Sequence, residues 1–333
     1  MPTQTMRFTV GSLFLVLMTV SSQAAILTTG VFTGTVERFD EVTGARSTLV
    51  TIPPLGPEAI QPQLSSVAYN ASNGRAYVAA IQHGGLYHFN AQTGADLQYV
   101  PMGIGPGGVA ISPNGDVYVT NVQANNFRIY DPTLTSFSTV TIDDLAGTTT
   151  GIGVSPNGDV IVSTFGTGVY RYDPATGNVD EFSDSSIPGG QVAFDSSNNV
   201  YIGHGLGFAD DVTKFNAAGT EIGNPFIKID STIAGNLSGS SPFFNPSGVA
   251  IDGDGNIIVA VLGKGNPGDI NGETGGLFRF DSNGDLLGSP IAMNTSAFSS
   301  VAIVPAAIPE PSSVALLVTA AGITFLSRRR RRS

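Results

Sequence analysis

Cysteine and tryptophan are absent from this chain, and charged residues are scarce. Without cysteine, the chain can form no disulfide, no thiolate metal site and no cysteine nucleophile. Charged residues make up only 12% of the 333 residues, whereas 41% are hydrophobic and 42 are glycine. This composition is too apolar for a disordered chain and too poor in charge for a helix-rich cytosolic enzyme. The length suits one large domain or two ordinary ones.

Positive charge is scarcest in the body of the chain. Outside the two ends, the sequence carries 9 basic and 25 acidic residues, a formal charge of about −16. A surface with that charge repels nucleic acid and anionic membranes, so we expect no nucleic-acid partner. It favours solubility and would suit cations or cationic partners.

The first 24 residues have the pattern of a secretory signal peptide. Arg7 precedes an apolar run at residues 8–20, and residues 21–24 provide a small-x-small site with cleavage expected after Ala24. The alternative is an uncleaved membrane anchor. In both cases the chain between the two ends is expected to leave the cytoplasm.

The last segment, residues 306–333, combines three features in order. Pro309, Glu310 and Pro311 precede an apolar run at residues 312–327, which would be roughly 24 Å long as a helix. That length is marginal for a hydrocarbon core of about 30 Å. Basic residues next to such a run favour the cytoplasmic side; here they are Arg328, Arg329, Arg330, Arg331 and Arg332. The alternative is a terminal core helix followed by a basic tail.

This order of features resembles the PEP-CTERM sorting signal of Gram-negative bacteria. The resemblance covers residues 308–333 only. It implies an exosortase as partner, cleavage near Pro309–Pro311 and transient anchoring in the inner membrane. It also implies transfer to the cell surface or the extracellular matrix, in a host that makes exopolysaccharide.

The body between the two ends is an internal repeat. "GGVAISPNGDVYVT" at residues 107–120 returns as "TGIGVSPNGDVIVS" at 150–163, with looser copies at 65–79, 190–203 and 247–260. Each copy has two apolar runs around a turn, which is typical of a β-hairpin. A second element such as "FRIYD" or "LFRFD" follows each copy and ends in an aromatic residue before Asp or Asn. Four strands recurring with a period near 40 predict the blades of a β-propeller.

The two incomplete copies predict the number of blades. The body starts with "VERFD" at residues 36–40 and stops after a half copy at 299–305, so together they complete one blade. We therefore predict an all-β, six-bladed propeller over residues 25–305, closed by a blade shared between the two ends, with signal and sorting helices outside it. The pattern at 106–119 and 246–259 resembles propellers of the NHL, SMP-30 and streptogramin-lyase group. The lack of tryptophan excludes WD40 blades.

Two of the three histidines are weak candidates for catalysis. His83 and His204 fall between predicted strands, in loops that vary from blade to blade, and they could be metal ligands or a general base. A histidine base is what the resemblance to streptogramin lyases implies. The alternative is a pair of solvated loop histidines. His88 lies inside a predicted strand, and we interpret it as structural.

A metal site has little support in the sequence. The starts of the first strands carry no carboxylate, which disfavours a metal in the central channel. Asp252, Asp254 and Asn256 resemble the beginning of a calcium loop, but the distal glutamate is missing and sister blades have plain turns there. We interpret them as a turn. No cofactor is expected, and the binding of a divalent cation is left as an alternative.

The longest insertions fall in neighbouring blades, at residues 203–211, 234–246 and 262–276. We predict that they form one wall beside the channel mouth that could bind a sugar or a peptide. Alternatively, the phenylalanines only pack the loops. The predicted ligand contacts are Phe208, Phe243, Phe244, Asp210, Asp211, Lys264, Asp269 and Glu273.

The expected function is that of an exported binding or scaffold module for extracellular polysaccharide or matrix protein. The export pattern, the acidic body and the lack of a catalytic motif favour this interpretation. The alternative is a secreted lyase or lactonase of the streptogramin-lyase or SMP-30 type.

Overall fold

The computed structural model describes residues 24–143, 145, 147–165, 168–184, 189–205, 210–235, 237, 243–263, 275–295 and 297–306. The stretch Ala24–Pro305 is one compact unit. The predicted signal peptide and sorting tail, with Pro309, Glu310, Pro311 and the five arginines, lie outside the described residues. Within these ranges, no helix has the length and apolar character needed to cross a membrane.

The described chain is all-β and forms a six-bladed propeller, as predicted. Each blade is a four-stranded antiparallel sheet whose strands run in sequence from the channel to the rim, apart from the shared blade. The shared blade contains β24 (Phe298–Val304), β1 (Ala25–Gly30), β2 (Thr35–Asp40) and β3 (Arg46–Thr51). The others are, in order, β4 (Leu64–Asn70), β5 (Arg75–Ala80), β6 (Gly85–Asn90) and β7 (Gln98–Pro101); β8 (Pro106–Ile111), β9 (Val117–Asn121), β10 (Asn126–Tyr130) and β11 (Phe137–Thr141); β12 (Thr149–Val154), β13 (Val160–Thr164), β14 (Val169–Tyr172) and β15 (Val179–Ser183); β16 (Gly189–Phe194), β17 (Val200–His204), β18 (Asp211–Phe215) and β19 (Glu221–Lys228); β20 (Gly248–Ile251), β21 (Ile257–Val261), β22 (Gly275–Phe280) and β23 (Ala292–Thr295).

The shared blade closes the ring as predicted. Strand β24 pairs antiparallel with β1, with Val304 opposite Ala25 and Ile303 opposite Ile26. Across the same sheet, the rings of Phe39 and Phe298 pack edge to face at 5.7 Å. Pairing the last strand with the first leaves no open sheet edge at the seam, and such an edge would be a template for aggregation.

The core consists of six hydrophobic clusters, one between each pair of neighbouring blades. They follow from the sequence pattern, because alternate strand residues point to opposite faces of a blade. The innermost strands contribute one β-branched residue at the same repeat position in every blade. These buried residues are Val67, Val109, Ile152, Val192, Val249 and Val301.

In the five blades other than the shared one, a short polar side chain at the end of the first strand stabilises the turn to the second strand. In Asn70, Asp195 and Asp252, one side-chain oxygen accepts the backbone N–H of the residue two positions later. Ser112 and Ser155 hold the same position in their blades. We call the face that carries these turns the turn face, and the opposite face, with the loops between second and third strands, the loop face.

The innermost strands approach each other most closely near their starts, towards the loop face. A Cβ atom added at Gly151 would lie 1.8 Å from the Gly190 carbonyl oxygen, and one at Gly190 would lie 2.7 Å from the Ser247 carbonyl oxygen. Only glycine therefore fits at these two positions, although other blades carry serine, threonine or glutamine at the equivalent places. The channel narrows there, whereas the second halves of the same strands enclose open space.

Candidate functional site

His83 is buried and both of its ring nitrogens have protein partners. Its side chain lies in the turn between β5 and β6 and is 9% exposed. Nδ1 is 2.8 Å from the Tyr87 hydroxyl, and Nε2 is 2.7 Å from the carbonyl oxygen of Ile60. Burial, with the neighbouring Tyr99, raises the pKa of Tyr87 to about 12, so this hydroxyl stays neutral at physiological pH. The arrangement ties the loop around Ile60 to the blade.

His204 is held in the same manner at the end of β17. It is 4% exposed, with Nε2 at 2.8 Å from the Thr213 hydroxyl and Nδ1 at 2.9 Å from Oδ1 of Asp211. Burial raises the pKa of Asp211, but the hydrogen bond and charge of His204, with Lys228 nearby, outweigh it, so this pKa lies below its usual range. The pair joins β17 to β18 across the blade.

His88 lies within β6, and its contacts fit the structural role predicted for it. Its Nδ1 accepts a hydrogen bond from Nε of Arg75 at 2.7 Å, and its ring stacks on Tyr77. Burial and the positive charge of Arg75 lower the pKa of His88. The ring is therefore a neutral acceptor at physiological pH.

The expectation that His83 and His204 are solvated, if they are not catalytic, is wrong. Ile60 lies 23 residues from His83 in the chain, whereas the other partners of the two rings lie four to nine residues away on the next strand. As arranged, neither ring offers a free nitrogen for a metal ion or for a substrate proton. A carboxylate that holds a histidine, as Asp211 holds His204, can also orient a general base, so the pair is the group to test for catalysis.

Four of the eight predicted ligand contacts on the loop face lie outside the described residues. These are Phe208, Lys264, Asp269 and Glu273, and the wall stays a prediction. Phe244 is 4% exposed and packs into the cluster between two blades, beside Ile229, Leu237 and Phe278. This position matches the alternative in which the ring packs a loop, so Phe244 is not available as a surface contact.

Two polar members of the predicted wall have partners inside the protein. Oδ1 of Asp210 accepts the backbone N–H of Phe244 at 2.6 Å, and Asp211 binds His204. Phe243, next to Phe244, is half-buried. These contacts fasten the inter-blade loop to the end of β18.

Asp252, Asp254 and Asn256 form a turn in the structure. Asp252 accepts the backbone N–H groups of Asp254 and Asn256 and the side-chain amide of Asn256. Its Oδ2 also lies 3.5 Å from Nε of Arg279. The oxygens of Asp252 are thus engaged by the turn itself. Among the described residues, no cluster of three potential metal ligands is found.

An axial cavity opens on the turn face, and the sequence pattern does not predict it. It has a volume of about 460 Å³ and is lined by the second halves of all six innermost strands. Its lining comes from the six repeat copies, and a local sequence window does not show that they surround one axis. The sequence feature that could have indicated this cavity is the apolar residue that recurs near the end of the first strand of every blade.

Comparison with known proteins supports the fold. No protein-family model and no curated protein matches the sequence. Among solved structures, a chain of a nidogen/laminin complex has a TM-score of 0.63 at 13% identity, covering 84% of this chain and 98% of that one. The calcium-binding protein regucalcin from Agrobacterium tumefaciens has a TM-score of 0.52 at 17% identity, covering 72% and 75%.

An inactive variant of virginiamycin B lyase from Staphylococcus aureus, with quinupristin, also shares the fold. Its TM-score is 0.51 at 15% identity, covering 70% of this chain and 72% of that chain. These identities show similarity of fold alone. A binder, a calcium-binding protein and a lyase all use this architecture, so function has to be argued from the site.

Proposed function

We propose that this protein is an exported, non-enzymatic binding module of the cell surface or extracellular matrix. The two ends of the sequence support export, and the propeller between them would be the displayed part. The acidic body supports solubility outside the cell and disfavours binding to nucleic acid. The ligand proposed for the module is a matrix polysaccharide or protein.

The observation that carries the non-enzymatic part of the proposal is the engagement of both candidate histidines. All four ring nitrogens of His83 and His204 lie 2.7–2.9 Å from protein partners. A general base must reach the proton that it removes, and a metal ligand needs a free nitrogen. Catalysis at either residue would require these hydrogen bonds to break in a buried site.

The nidogen/laminin complex lends support to a binding role. A chain of that complex shares the fold over nearly its whole length. A rigid ring of blades can present loops to a macromolecule without chemistry. For this chain, that likeness makes a protein or matrix partner reasonable and does not identify it.

Retention on the host matrix tests the proposal. We expect the protein to co-sediment with exopolysaccharide or matrix extracted from its host, in a saturable manner that unlabelled protein competes. An unrelated acidic protein of similar charge is the control for electrostatic trapping. Absence of saturable retention on every matrix fraction would overturn the binding role.

A second assay tests the lyase or lactonase alternative. Lactone substrates, including a cyclic peptide lactone, are incubated with the protein with and without a chelator, and we expect no turnover above the blank. Metal-dependent turnover that is lost in His204→Ala would contradict the proposal and assign a base to the His204–Asp211 pair. Turnover that persists in His204→Ala and His83→Ala would point to a contaminating enzyme.

A further inference from the structure

The axial cavity on the turn face is a built feature of the fold. The first halves of the innermost strands approach each other towards the loop face. The lining consists of Gln191 and, in each innermost strand, the residues from the buried valine or isoleucine to the start of the turn or the end of the strand. The result is a funnel of about 460 Å³ with its mouth on the turn face. This volume lies within the range of about 300–1,000 Å³ found for small-molecule pockets.

The side chain of Gln191 supplies polar groups to the lining. Its Oε1 accepts the backbone N–H groups of Val249 and Val301 and the hydroxyl of Ser300, at 2.9–3.2 Å. Its Nε2 donates to the carbonyl oxygen of Val301 at 2.7 Å. These bonds tie β16 to β20 and β24. The oxygen of Gln191 is therefore already saturated by the protein.

The wall at the mouth is a ring of large apolar side chains, one from each blade. They occupy the same repeat position, two residues after the buried valine or isoleucine level, and all six are half-buried. The ring consists of Tyr69, Ile111, Val154, Phe194, Ile251 and Ile303. Each of them also packs against a cluster between two blades, so only part of its surface faces the cavity. That part favours an apolar occupant, because a ligand would remove it from water.

One polar group of the lining has an unused donor. Asn70 is 1% exposed and lines the cavity. Its Oδ1 accepts the N–H and the hydroxyl of Ser72, at 2.9 and 2.7 Å, which assigns the other side-chain atom as the amide nitrogen. Among the described residues, this Nδ2 has no hydrogen-bond partner, and its accessible surface is below 1 Å², so a ligand acceptor reaches it only after a small shift of the Asn70 side chain towards the cavity. A buried donor without a partner costs free energy, and a ligand acceptor would remove that cost.

Charge around the mouth disfavours an anion. The turns that surround it carry Asp116, Asp159, Asp195 and Asp254. Two cations beside these turns are already paired with carboxylates: Arg75 with Asp96 at 2.6 Å, and Arg279 with Asp252 at 3.5 Å. A carboxylate or phosphate ligand would meet this negative field, whereas an uncharged molecule would not.

We propose that this cavity binds an uncharged, mainly apolar small molecule that accepts one hydrogen bond from Nδ2 of Asn70. The six apolar side chains of the mouth hold its body, and the amide of Asn70 fixes its orientation. The proposal is independent of export and of matrix binding, because it concerns the opposite face from the predicted ligand wall.

Nile red provides a direct probe, because it is uncharged, mainly apolar, carries a carbonyl acceptor and becomes fluorescent in apolar surroundings. We expect the full-length protein in detergent-free buffer to bind it at one saturable site. The double variant Val154→Phe/Ile251→Phe fills the mouth, and Phe194 shows that this repeat position accepts phenylalanine. It should weaken binding at least tenfold.

Two further variants make the test specific. Ile222→Phe adds similar bulk at an exposed position of β19, away from the cavity, and should leave binding unchanged. Asn70→Asp keeps the turn, since Asp195 and Asp252 build the same turn in sister blades, but it removes the donor and should weaken binding roughly tenfold. The melting temperature of each variant checks that it is folded.

The outcomes separate the possibilities. Saturable binding that is lost in the filled and Asn70→Asp variants and kept in Ile222→Phe would support the proposal. Absence of saturable binding would overturn the proposal. Equal binding in all variants would also overturn it, because the dye would then bind elsewhere on the chain. The anionic dye anilinonaphthalene sulfonate tests the exclusion of anions. If it binds the same site as tightly as Nile red, that exclusion is wrong.

Discussion

Adjacent phenylalanines at the loop face differ in burial. Phe244 is 4% exposed in the cluster between two blades, and its N–H donates to Asp210. Phe243 is half-buried. Substituting these two phenylalanines one at a time can therefore distinguish a packing role from a role in surface recognition.

Replacement of Phe244 by alanine should destabilise the protein by about 3–5 kcal/mol, because the substitution leaves a cavity in a packed cluster. Phe243→Ala should cost less than about 2 kcal/mol. Urea unfolding of both variants provides the measurement. Equal losses would mean that the two rings contribute equally to packing, contrary to their burial.

The turn aspartates give the protein a predictable response to acid. Oδ1 of Asp195 accepts the N–H groups of Ser197 and Asn199, and its Oδ2 accepts the amide of Asn199 and the hydroxyl of Tyr201. Burial alone would raise the pKa of Asp195, but these hydrogen bonds outweigh it and lower the pKa below the usual 3.8. The charged form is thus preferred in the folded state.

Because the pKa of Asp195 is lower in the folded state, its charged form contributes fully to stability above about pH 4. This contribution is lost as the pH falls through the pKa of Asp195 in the folded protein. Asp195→Asn should therefore cost about 1 kcal/mol at pH 7. The difference from the unmodified protein should shrink as the pH is lowered from 4 towards 2. The measurement is the unfolding free energy of both proteins across this pH range. A difference between them that grows in acid would contradict a lowered pKa for Asp195.

At the scale of the element, the third strand of a blade carries a cation that contacts the neighbouring blade. Nη1 of Arg38 donates to the carbonyl oxygen of Gln92 at 2.8 Å, and Arg279 donates to that of Glu41 at 3.2 Å. Arg171 makes the equivalent bond to Ala217. Each acceptor lies in the turn between the third and fourth strands of the next blade. The motif of a cation before an aromatic residue and Asp or Asn thus links blades.

Loss of one such link should weaken the interface between two blades. We expect Arg38→Met to lower the unfolding free energy by about 1–2 kcal/mol, because a partly buried carbonyl would lose a charged donor. Lys228→Met is the matched control, since it removes an exposed cation of an outer strand that only attracts Asp211 and Asp230 through its charge, and it should cost less than about 1 kcal/mol. Equal effects would indicate that net charge, rather than the link, is responsible.

At the scale of the whole molecule, the ring is closed in two ways. The shared blade pairs β24 with β1, and the side chain of Gln191 joins three innermost strands at the axis. Gln191→Ala would leave the N–H groups of Val249 and Val301 without this acceptor. We expect a loss of about 2–4 kcal/mol. The exposed Gln98→Ala should be close to neutral, and a similar loss in both variants would contradict the role assigned to Gln191.

The fold could be predicted from the sequence because the same strand pattern recurs in every blade. The hairpin pattern, the period and the two half copies together specify six blades and the shared closure. The histidine contacts could not be predicted, since Ile60, Tyr87 and Asp211 meet these rings only after the chain folds. The axial cavity was missed because it belongs to no single repeat, and the unpaired nitrogen of Asn70 is visible only once its turn is built.

We propose that the propeller is displayed outside the cell after both ends of the chain have been removed. The most direct test is the intact mass of the protein recovered from the surface or medium of its native host. The account predicts a chain that begins at Ala25 and ends between Pro309 and Pro311. A surface form that retains Arg328 to Arg332, or recovery only from the cytoplasm with residues 1–24 still attached, would contradict it.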